Sequence, residues 1–377
     1  MLTIGYDAKR AFNNASGLGN YSRLLVESMV KYHPENKYLL FTPKIGSKWA
    51  DWRQQMDDSG VATLLPPRRL QRIFHSYWRS AGVSKQAPSK GIKIYHGLSH
   101  ELPVNMAKRG IKTVVTMHDL IFLRYPEYFP RIDRFFYERK FKQACQDADA
   151  IVSISEQTTQ DLVNFLKADA KKIQLVYQDC HPIFRQAVSL VELTAFKEKY
   201  ALSAPYIYVS GSFEKRKNHI RVLEAYAQLP SDRPRLVFAG NKNAYLQEML
   251  KLANKLEIGD EMHVLQNLPF AELPALYAGA VFTAYLSEFE GFGLPVLESM
   301  AVGTPVLTSN ISSMPEVGGN AVLYAPPTDV EAIAMQMRLL LFDEERKSDL
   351  VRQLKSQANQ FSAGIMANQL NALYHAL

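Results

Sequence analysis

The segment FEGFGLPVLESMAVGTPV (Phe289–Val306) follows the apolar run AVFTAYL (Ala280–Leu286). A short apolar run of this kind is typical of a buried strand. Pro295 stands where a helix would begin, because proline suits the first helical position. The order of strand, glycine-bearing turn and helix predicts an α/β sheet with a ligand site at its carboxyl edge.

Two glutamates, Glu290 and Glu298, lie eight positions apart across this turn. Gly291 and Gly293 would let the backbone approach a ligand, which the unpaired first amides of the helix would face. We expect Glu290 in the turn and Glu298 in the first helical turn, where both could accept hydrogen bonds from sugar or ribose hydroxyls. The alternative is that Glu298 complements the helix dipole and Glu290 is a solvated loop charge.

A second predicted anion site lies in the segment PYIYVSGSFEKRKN. A strand at Tyr206–Val209 leads through Gly211 to Arg216 and Lys217, and Asn218 is placed to cap the next helix. Arginine can bind two phosphate oxygens at once and lysine acts as a point charge, so the pair fits a diphosphate. The alternative is an ordinary basic surface loop.

Strand and helix patterns alternate in both halves of the 377-residue chain. This predicts an α/β fold with two Rossmann-like parallel-sheet domains facing a cleft. We place the N-terminal domain at residues 1–188 and the C-terminal domain at residues 200–361, with the hinge near Arg185–Pro205. A last helix at about residues 362–377 is expected to pack back on the first domain.

The first half has further candidate ligand contacts. Gly17 and Gly19 lie in a predicted loop before a helical pattern, but the third glycine of the dinucleotide fingerprint is missing. His118 ends the strand pattern GIKTVVTMHDL, and His96 ends an earlier one, where side chains can face the ligand crevice. The alternative is a structural role for these residues. Glycines often mark turns without binding a ligand, and strand-end histidines often serve as hydrogen-bonding groups.

The string EGFGLPVLESMAVGTPV and the following TSNISSMPEVGGNAVLYAPPTD resemble the Glu-x(7)-Glu region of glycosyltransferase family 4, whose members are retaining enzymes of GT-B architecture. The resemblance covers nearly the whole chain and is strongest from Tyr206 to Asp329. The chain departs from the family pattern at Leu286 and Lys215, where proline is common, and at Ala363, where tryptophan is usual.

This resemblance implies transfer of a sugar, with mannose as our choice, from a nucleoside diphosphate sugar to a glycan or polyprenyl-linked acceptor in surface polysaccharide synthesis. It implies that the catalytic residues are Glu290, His118, Lys217 and Arg216. The donor-binding residues that it implies are Glu298, Gly17, Leu18, Gly19, Gly211, Leu268, Phe292, Gly293 and Leu294. No cofactor or metal is expected, because the two cations and the helix amides can stabilise the leaving diphosphate.

Other functions stay open at this point. A nucleotide-sugar epimerase of the same architecture would use the same phosphate sites without an acceptor, and a non-catalytic sugar-binding protein would keep them without turnover. A Rossmann dehydrogenase is disfavoured by the missing glycine fingerprint. Retention is expected from front-face attack assisted by the leaving phosphate rather than from Glu290 as a covalent nucleophile.

The charge is unevenly distributed along the chain. Residues 1–190 carry 28 Lys and Arg against 17 Asp and Glu, and residues 191–377 carry 16 against 20. A basic first half favours an anionic partner such as a membrane face or a phosphorylated acceptor. Nucleic acid is not expected, because no recognisable binding module accompanies the charge.

The most basic aromatic segment is PPRRLQRIFHSYWRSAG, residues 66–82. It would suit a helix lying on an anionic membrane, although amphipathic helices more commonly turn their apolar face to the core. No apolar run reaches the roughly 20 residues that a membrane span requires. We therefore expect a cytoplasmic protein that could contact the inner membrane face. Cys145 and Cys180 have no zinc-ligand spacing.

Overall fold

The computed structural model describes residues 1–66 and 77–377, which form two compact units. Unit 1 comprises Met1–Asp179 and Ser362–Leu377, and unit 2 comprises Cys180–Phe361. Each unit is a parallel sheet with helices, so the predicted α/β fold class with two Rossmann-like domains is confirmed. The first crossing between the units falls at residue 179, closer to the N-terminus than the predicted hinge.

The sheet of unit 1 has seven parallel strands in the order β3-β2-β1-β4-β5-β6-β7. Their bounds are β1 Thr3–Asp7, β2 Lys37–Phe41, β3 Ala62–Leu64, β4 Ile94–Gly97, β5 Lys112–Met117, β6 Ala150–Ser153 and β7 Ile173–Leu175. The α-helices of the described part are Lys9–Asn13, Gly17–Tyr32, Ala50–Asp58, Val83–Gln86, Ile121–Arg124, Arg131–Asp147, Glu156–Leu166 and Ala363–Ala376, and Trp78–Gly82 forms a π-helical turn.

The sheet of unit 2 has six parallel strands in the order β10-β9-β8-β11-β12-β13. Their bounds are β8 Tyr206–Val209, β9 Arg235–Ala239, β10 Met262–Leu265, β11 Thr283–Tyr285, β12 Val306–Ser309 and β13 Leu323–Ala325. The helices are Leu190–Lys199, His219–Ala227, Ala244–Lys255, Leu273–Ala278, Leu294–Val302, Met314–Gly318, Val330–Phe342 and Glu344–Ala358.

The central strands are buried along their whole length because helices cover both faces of a parallel sheet. Every residue of β6, β8 and β12 is buried, for example. The core of unit 2 gathers aliphatic and aromatic side chains from strands and helices alike, among them Ile207, Phe238, Leu307 and Met337.

The strand orders also locate the expected ligand crevices. In unit 2 the chain runs from β8 outward to β10 and then returns to the other side of β8 with β11, so the strand order reverses between β8 and β11. In unit 1 the same reversal lies between β1 and β4. Ligands of open parallel sheets bind at the carboxyl ends of the strands at such a switch point.

The basic segment 66–82 is only partly described. Its residues Arg68, Arg69, Arg72, Ile73 and Phe74 lie outside the described residues. Of the remainder, Trp78 is buried against Phe41, Tyr77 is exposed, and Arg79 forms ion pairs with Asp7 and Glu101.

No helix within residues 1–66 and 77–377 is both long and apolar enough to cross a bilayer.

Candidate functional site

The predicted anion site of unit 2 is centred on the carboxylate of Glu290, which follows β11. Its Oε1 accepts hydrogen bonds from the Arg216 guanidinium at 2.5 Å, the Lys217 ammonium at 2.6 Å and the Ser287 hydroxyl at 2.5 Å. The side chains of Arg216, Lys217 and Glu290 are only 14%, 12% and 11% exposed. The two cations follow β8, so the cluster lies at the switch point of this sheet.

The charged groups of this cluster shift one another's pKa values. Burial alone would raise the pKa of Glu290, but Lys217 and Arg216 together lower it to about 2. Burial lowers the pKa of Lys217, and the adjacent carboxylate opposes that shift. The Lys217 ammonium also donates to the Tyr285 hydroxyl at 2.9 Å. Glu290 is therefore ionised throughout the neutral range and carries much of the compensation for two buried cations.

Backbone contacts fix the loop that carries Glu290. The Ser312 hydroxyl donates to the Glu290 carbonyl at 2.6 Å and accepts from its amide at 3.1 Å. The Ser313 hydroxyl donates to the same carbonyl at 3.1 Å. The loop after β12 thus holds the turn after β11 in place, so the carboxylate is presented from a braced backbone.

Asn218 fixes the loop that carries the cations, though not in the predicted way. It occupies the N-cap position of the helix His219–Ala227 but makes no side-chain cap bond, so the predicted capping role is wrong. Its amide instead donates to the carbonyls of Leu286 and Pro327 at 3.0 and 2.7 Å. Its Oδ1 accepts from the Arg221 guanidinium of the same helix at 2.9 Å, and its backbone is left-handed with φ of 62°.

Two glycines are required by local geometry. Gly211 has φ of +120°, and an added Cβ would lie 3.3 Å from the Lys217 side chain. Gly293 has φ of +101° and is the residue before the helix Leu294–Val302. That helix starts one residue earlier than predicted, so Pro295 is its second residue.

Glu298 forms a separate site. It lies in the second turn of its helix and not in the first as predicted, because the helix already begins at Leu294. Its Oε2 accepts from the Tyr277 hydroxyl at 2.8 Å, and burial raises the pKa of Glu298 to about 7 against the effect of that bond. A partly exposed carboxylate that is readily protonated can act as either a donor or an acceptor toward hydroxyls.

The remaining predicted donor-binding residues of unit 2 lie at the same sheet edge. Leu268 follows the carboxyl end of β10 and is partly exposed. Phe292 is buried, with its ring edge-on to Phe361 at a centroid distance of 5.7 Å. The side chain of Phe292 is thus part of the packing, and only its backbone remains a candidate for ligand contact.

In unit 1, His118 follows β5 and is buried in an aromatic cluster. Its Nε2 is 2.9 Å from the Leu98 carbonyl, so this nitrogen carries the proton and Nδ1 is an acceptor. Burial and the neighbouring His100 lower the pKa of His118 to about 3, so its imidazole is neutral. His96, the other strand-end histidine, is enclosed between Tyr374 and Thr116 at 2.6 and 2.8 Å and is structural.

The predicted glycine loop is instead the first turn of a helix. Gly17, Leu18 and Gly19 are the first three residues of the helix Gly17–Tyr32, so the expectation of a loop is wrong. An added Cβ at Gly19 would lie 1.9 Å from the Asn14 carbonyl oxygen, which leaves no room for another residue. Tyr21 of the same helix meets His118 edge-on at 4.6 Å, so both predicted sites of unit 1 are brought together.

Several site residues were missed by sequence reasoning. Tyr277, Tyr285 and Ser287 lie in apolar or short polar stretches that indicate packing, yet each hydroxyl contacts Glu298, Lys217 or Glu290. Within the described residues, no group of three or more His, Cys, Asp or Glu is arranged to hold a metal ion.

A pocket at the switch point of unit 1 was also missed. It has a volume of about 710 Å³, and Asp7, Lys9 and Glu101 line it together with Arg79. Arg79 donates to Asp7 at 2.6 Å and pairs with Glu101 at 3.0 Å. Fixed carboxylates and cations at the carboxyl ends of parallel strands can bind polar hydroxylated ligands.

Comparison with known proteins places both units in described families. Residues 192–358 match the family described as "Glycosyl transferases group 1", and residues 16–178 match "Glycosyltransferase Family 4". The chain is 29% identical over 360 residues to O-antigen chain mannosyltransferase B of Escherichia coli, covering 92% of each chain. It is 25% identical over 262 residues to O-antigen chain mannosyltransferase RfbU of Salmonella typhimurium, covering 70% of this chain and 68% of that one.

The fold has solved counterparts. The crystal structure of Anabaena Alr3699/HepE in complex with UDP aligns with a TM-score of 0.78 at 13% identity and covers 100% of both chains. At that identity the similarity concerns the fold alone, and it agrees with the expected GT-B type of two Rossmann-like domains.

Proposed function

Because the chain belongs to the group 1 glycosyltransferases of family 4, we propose that it transfers mannose from a nucleoside diphosphate sugar to a surface polysaccharide or its polyprenyl-linked precursor. The choice of mannose and of the acceptor is supported by the similarity to two O-antigen chain mannosyltransferases. The observation that carries the proposal is the pairing of Arg216 and Lys217 with Glu290 at the switch point of unit 2.

The diphosphate of the donor is assigned to the two cations. Arg216 and Lys217 share the carboxylate of Glu290, and Arg216 also pairs with Glu214 at 3.5 Å. A diphosphate offers more negative charge and more acceptor oxygens than one carboxylate, so it competes well for the same donors. The amides at the start of the helix Leu294–Val302 add a partial positive charge.

Glu290 is assigned to the donor sugar. When the diphosphate engages the cations, the carboxylate can accept from sugar hydroxyls and stabilise positive charge at the anomeric carbon. A carboxylate with a pKa of about 2 that accepts three hydrogen bonds on one oxygen is a weak nucleophile. This favours front-face substitution over a covalent glycosyl-enzyme intermediate.

In that reaction the bond from the anomeric carbon to the phosphate oxygen breaks, and the bond to the acceptor oxygen forms on the same face. Because attack and departure occur on the same face, the anomeric configuration is retained. The proton of the acceptor hydroxyl passes to the departing phosphate oxygen. Arg216 and Lys217 stabilise the charge that develops on the diphosphate, a task that needs no metal ion in this proposal.

The other residues are assigned by the same reasoning. Glu298 would bind the ribose hydroxyls, and Leu268 would border the base through its backbone. His118 would contact the donor sugar, with Gly17, Leu18 and Gly19 forming a helix N-terminus in the same unit. The pocket lined by Asp7 and Glu101 would receive the acceptor glycan. A polyprenyl-linked acceptor would bring the protein to the membrane as a peripheral partner.

The test is a panel of GDP-, UDP-, dTDP- and ADP-sugars, scored for thermal stabilisation and for transfer to a polyprenyl-linked acceptor with analysis of the product's anomeric configuration. We expect GDP-mannose to stabilise the protein and to give an α-linked product in the presence of EDTA. Epimerised donor without an acceptor product would instead identify an epimerase.

A matched pair of lysine variants tests the assignment of the cations. Lys217→Ala should lose turnover by about 100-fold or more, because an electrostatic donor to the leaving group is removed. Lys215→Ala is the control, since this neighbouring side chain is exposed. Equal activity of both variants would contradict the assignment.

A further inference from the structure

The helix Arg131–Asp147 of unit 1 has an exposed N-terminal half. Nine of the residues 131–140 are exposed, and only Arg134 is partly covered. The helix buries just Phe141, Ala144 and Cys145, all in its C-terminal half. A helix normally gains its stability by burying an apolar face, so this exposed half calls for a partner.

Three of the exposed side chains are large and apolar. Ile132, Phe135 and Phe136 are 71%, 62% and 53% exposed. Their spacing of three and four positions puts them on one face of the helix. Phe141 lies nine positions after Ile132, about half a turn out of phase, so the exposed apolar face is opposite the buried one. The helix therefore has two apolar faces, and the described residues of its own domain cover one of them.

The charge around this face is positive. Residues 131–142 contain Arg131, Arg134, Arg139, Lys140 and Lys142 against only Asp133 and Glu138. Exposed aromatic side chains surrounded by cations fit the interface of an anionic bilayer, where the rings enter the acyl boundary and the cations meet the headgroups. We infer that this face, formed by Ile132, Phe135 and Phe136 with Arg139 and Lys142, docks the protein on an anionic lipid surface.

A second copy of the chain fits this face less well. Two identical basic faces would bring like charges together at their rim, whereas anionic lipid neutralises them. The adjoining pocket adds a further reason, because Phe136, Arg139 and Lys140 also line the cavity of about 710 Å³ at the switch point of unit 1. Docking through this helix would place the mouth of that pocket at the lipid surface.

Docking at this location would give the enzyme access to the headgroup of a polyprenyl-linked acceptor. This part of the inference rests on the proposed function. The binding itself can be measured without any sugar transfer. This helix is distinct from the segment 66–82, most of whose residues lie outside the described part of the chain.

The experiment measures partition of the full chain onto vesicles of phosphatidylglycerol and phosphatidylcholine, with pure phosphatidylcholine as the neutral arm. We expect binding to the anionic vesicles only. The double variant Phe135→Ser/Phe136→Ser should bind about tenfold more weakly, because two aromatic anchors are lost. Arg139→Glu/Lys142→Glu should also weaken binding and reduce its dependence on salt.

A matched control distinguishes binding through this face from nonspecific adsorption by exposed apolar side chains. Leu190→Ser/Val191→Ser removes two apolar side chains of unit 2 that are 82% and 79% exposed, and it should bind vesicles like the wild type. Unaltered thermal unfolding and GDP-mannose stabilisation would show that the Phe135/Phe136 double variant is folded and still binds donor.

Three outcomes would overturn the inference. They are no binding of the wild type to anionic vesicles at low salt, equal binding by both serine double variants, and a wild-type dimer that the Phe135/Phe136 variant converts to monomer without a change in vesicle binding. Absence of sugar transfer with intact vesicle binding would count against the proposed function instead.

Discussion

Replacing Glu290 by glutamine tests the electrostatic reasoning at its centre. The pKa of this carboxyl falls from 4.5 to about 2 on folding. Since a pKa difference of one corresponds to about 1.4 kcal/mol, the ionised carboxylate stabilises unit 2 by about 3 kcal/mol at neutral pH. Removing one partner of a buried ion pair typically costs a similar amount, about 3–5 kcal/mol. We expect Glu290→Gln to lower the free energy of unfolding by about 3 kcal/mol at pH 7.

The direction of the pKa shift determines how this stabilisation depends on pH. The folded-state pKa is below the unfolded value of 4.5, so the stabilisation is fully present above that pH and is lost as the pH falls toward 2. Glutamine does not titrate. The difference between wild type and variant should therefore shrink in acid, and the curves should converge from pH 4.5 downward.

The assay can resolve the two units. All three tryptophans, Trp49, Trp52 and Trp78, belong to unit 1. Urea unfolding followed by tryptophan fluorescence therefore reports unit 1, while far-UV circular dichroism reports both units. The loss in Glu290→Gln should appear in the circular dichroism transition. Glu288→Gln is the control, because its ion pair with Arg221 is more exposed and is worth about 1 kcal/mol at most.

The reasoning would be refuted by a stability of Glu290→Gln equal to that of Glu288→Gln at pH 7. A loss of the same size at pH 7 and pH 3 would also refute it, because the contribution would then not depend on ionisation of the carboxylate.

Three further predictions concern single groups. Glu298→Gln should stabilise the protein at pH 8 in urea unfolding and have less effect at pH 5, because a carboxyl whose pKa is raised to about 7 loses folding stability as the pH rises from 4.5 through 7. Tyr285→Phe should slow transfer by about tenfold, most strongly at high pH, because the Lys217 ammonium loses an acceptor at 2.9 Å and its already lowered pKa falls further. Gly19→Ala should reduce the free energy of unfolding by about 1–3 kcal/mol in a denaturant titration, since the new Cβ would collide with the Asn14 carbonyl oxygen at 1.9 Å.

The sequence was a good guide to the fold and to the residue types of the site. Parallel strands covered on both faces leave an unmistakable apolar pattern, and turns at their carboxyl ends carry polar residues. Arg216, Lys217 and Glu290 could thus be named as candidates. That they bind one another could not be predicted, because the pairs are 74 and 73 positions apart and depend on which strands are neighbours.

Tyr277 shows why the other partners were missed. It lies in the apolar stretch LPALYA, and its ring does pack in the core against Phe184 and Tyr208 at 5.8 and 5.0 Å. Only its hydroxyl reaches Glu298. A tyrosine has an apolar ring and a polar hydroxyl. A pattern of hydrophobicity therefore indicates the buried ring but not the hydrogen bond of the hydroxyl.

The errors in helix boundaries have a similar origin. A glycine at the start of a helix resembles part of a loop, so the sequence pattern places Gly17 in a loop although it begins a helix. The residue type of Asn218 favours helix capping, but its Oδ1 accepts from the Arg221 guanidinium at 2.9 Å and its amide nitrogen donates to two carbonyls of other loops. The local preference of a residue type for helix capping is overridden when backbone carbonyls of distant segments need a hydrogen-bond donor.

The return of the chain to unit 1 after Phe361 has a consequence for biosynthesis. The Asp179 carboxylate accepts from the Ala363 amide at 2.9 Å, which joins the points where the chain leaves unit 1 and re-enters it. The returning helix then supplies Tyr374, which donates to or accepts from His96 inside the core.

Domains usually complete their folding in the order of their synthesis. Here unit 2 is continuous in sequence, whereas unit 1 lacks part of its core until residues 362–377 have been made. We expect unit 2 to resist protease in a released chain truncated after Phe361, while unit 1 of that chain stays sensitive because part of its core is missing.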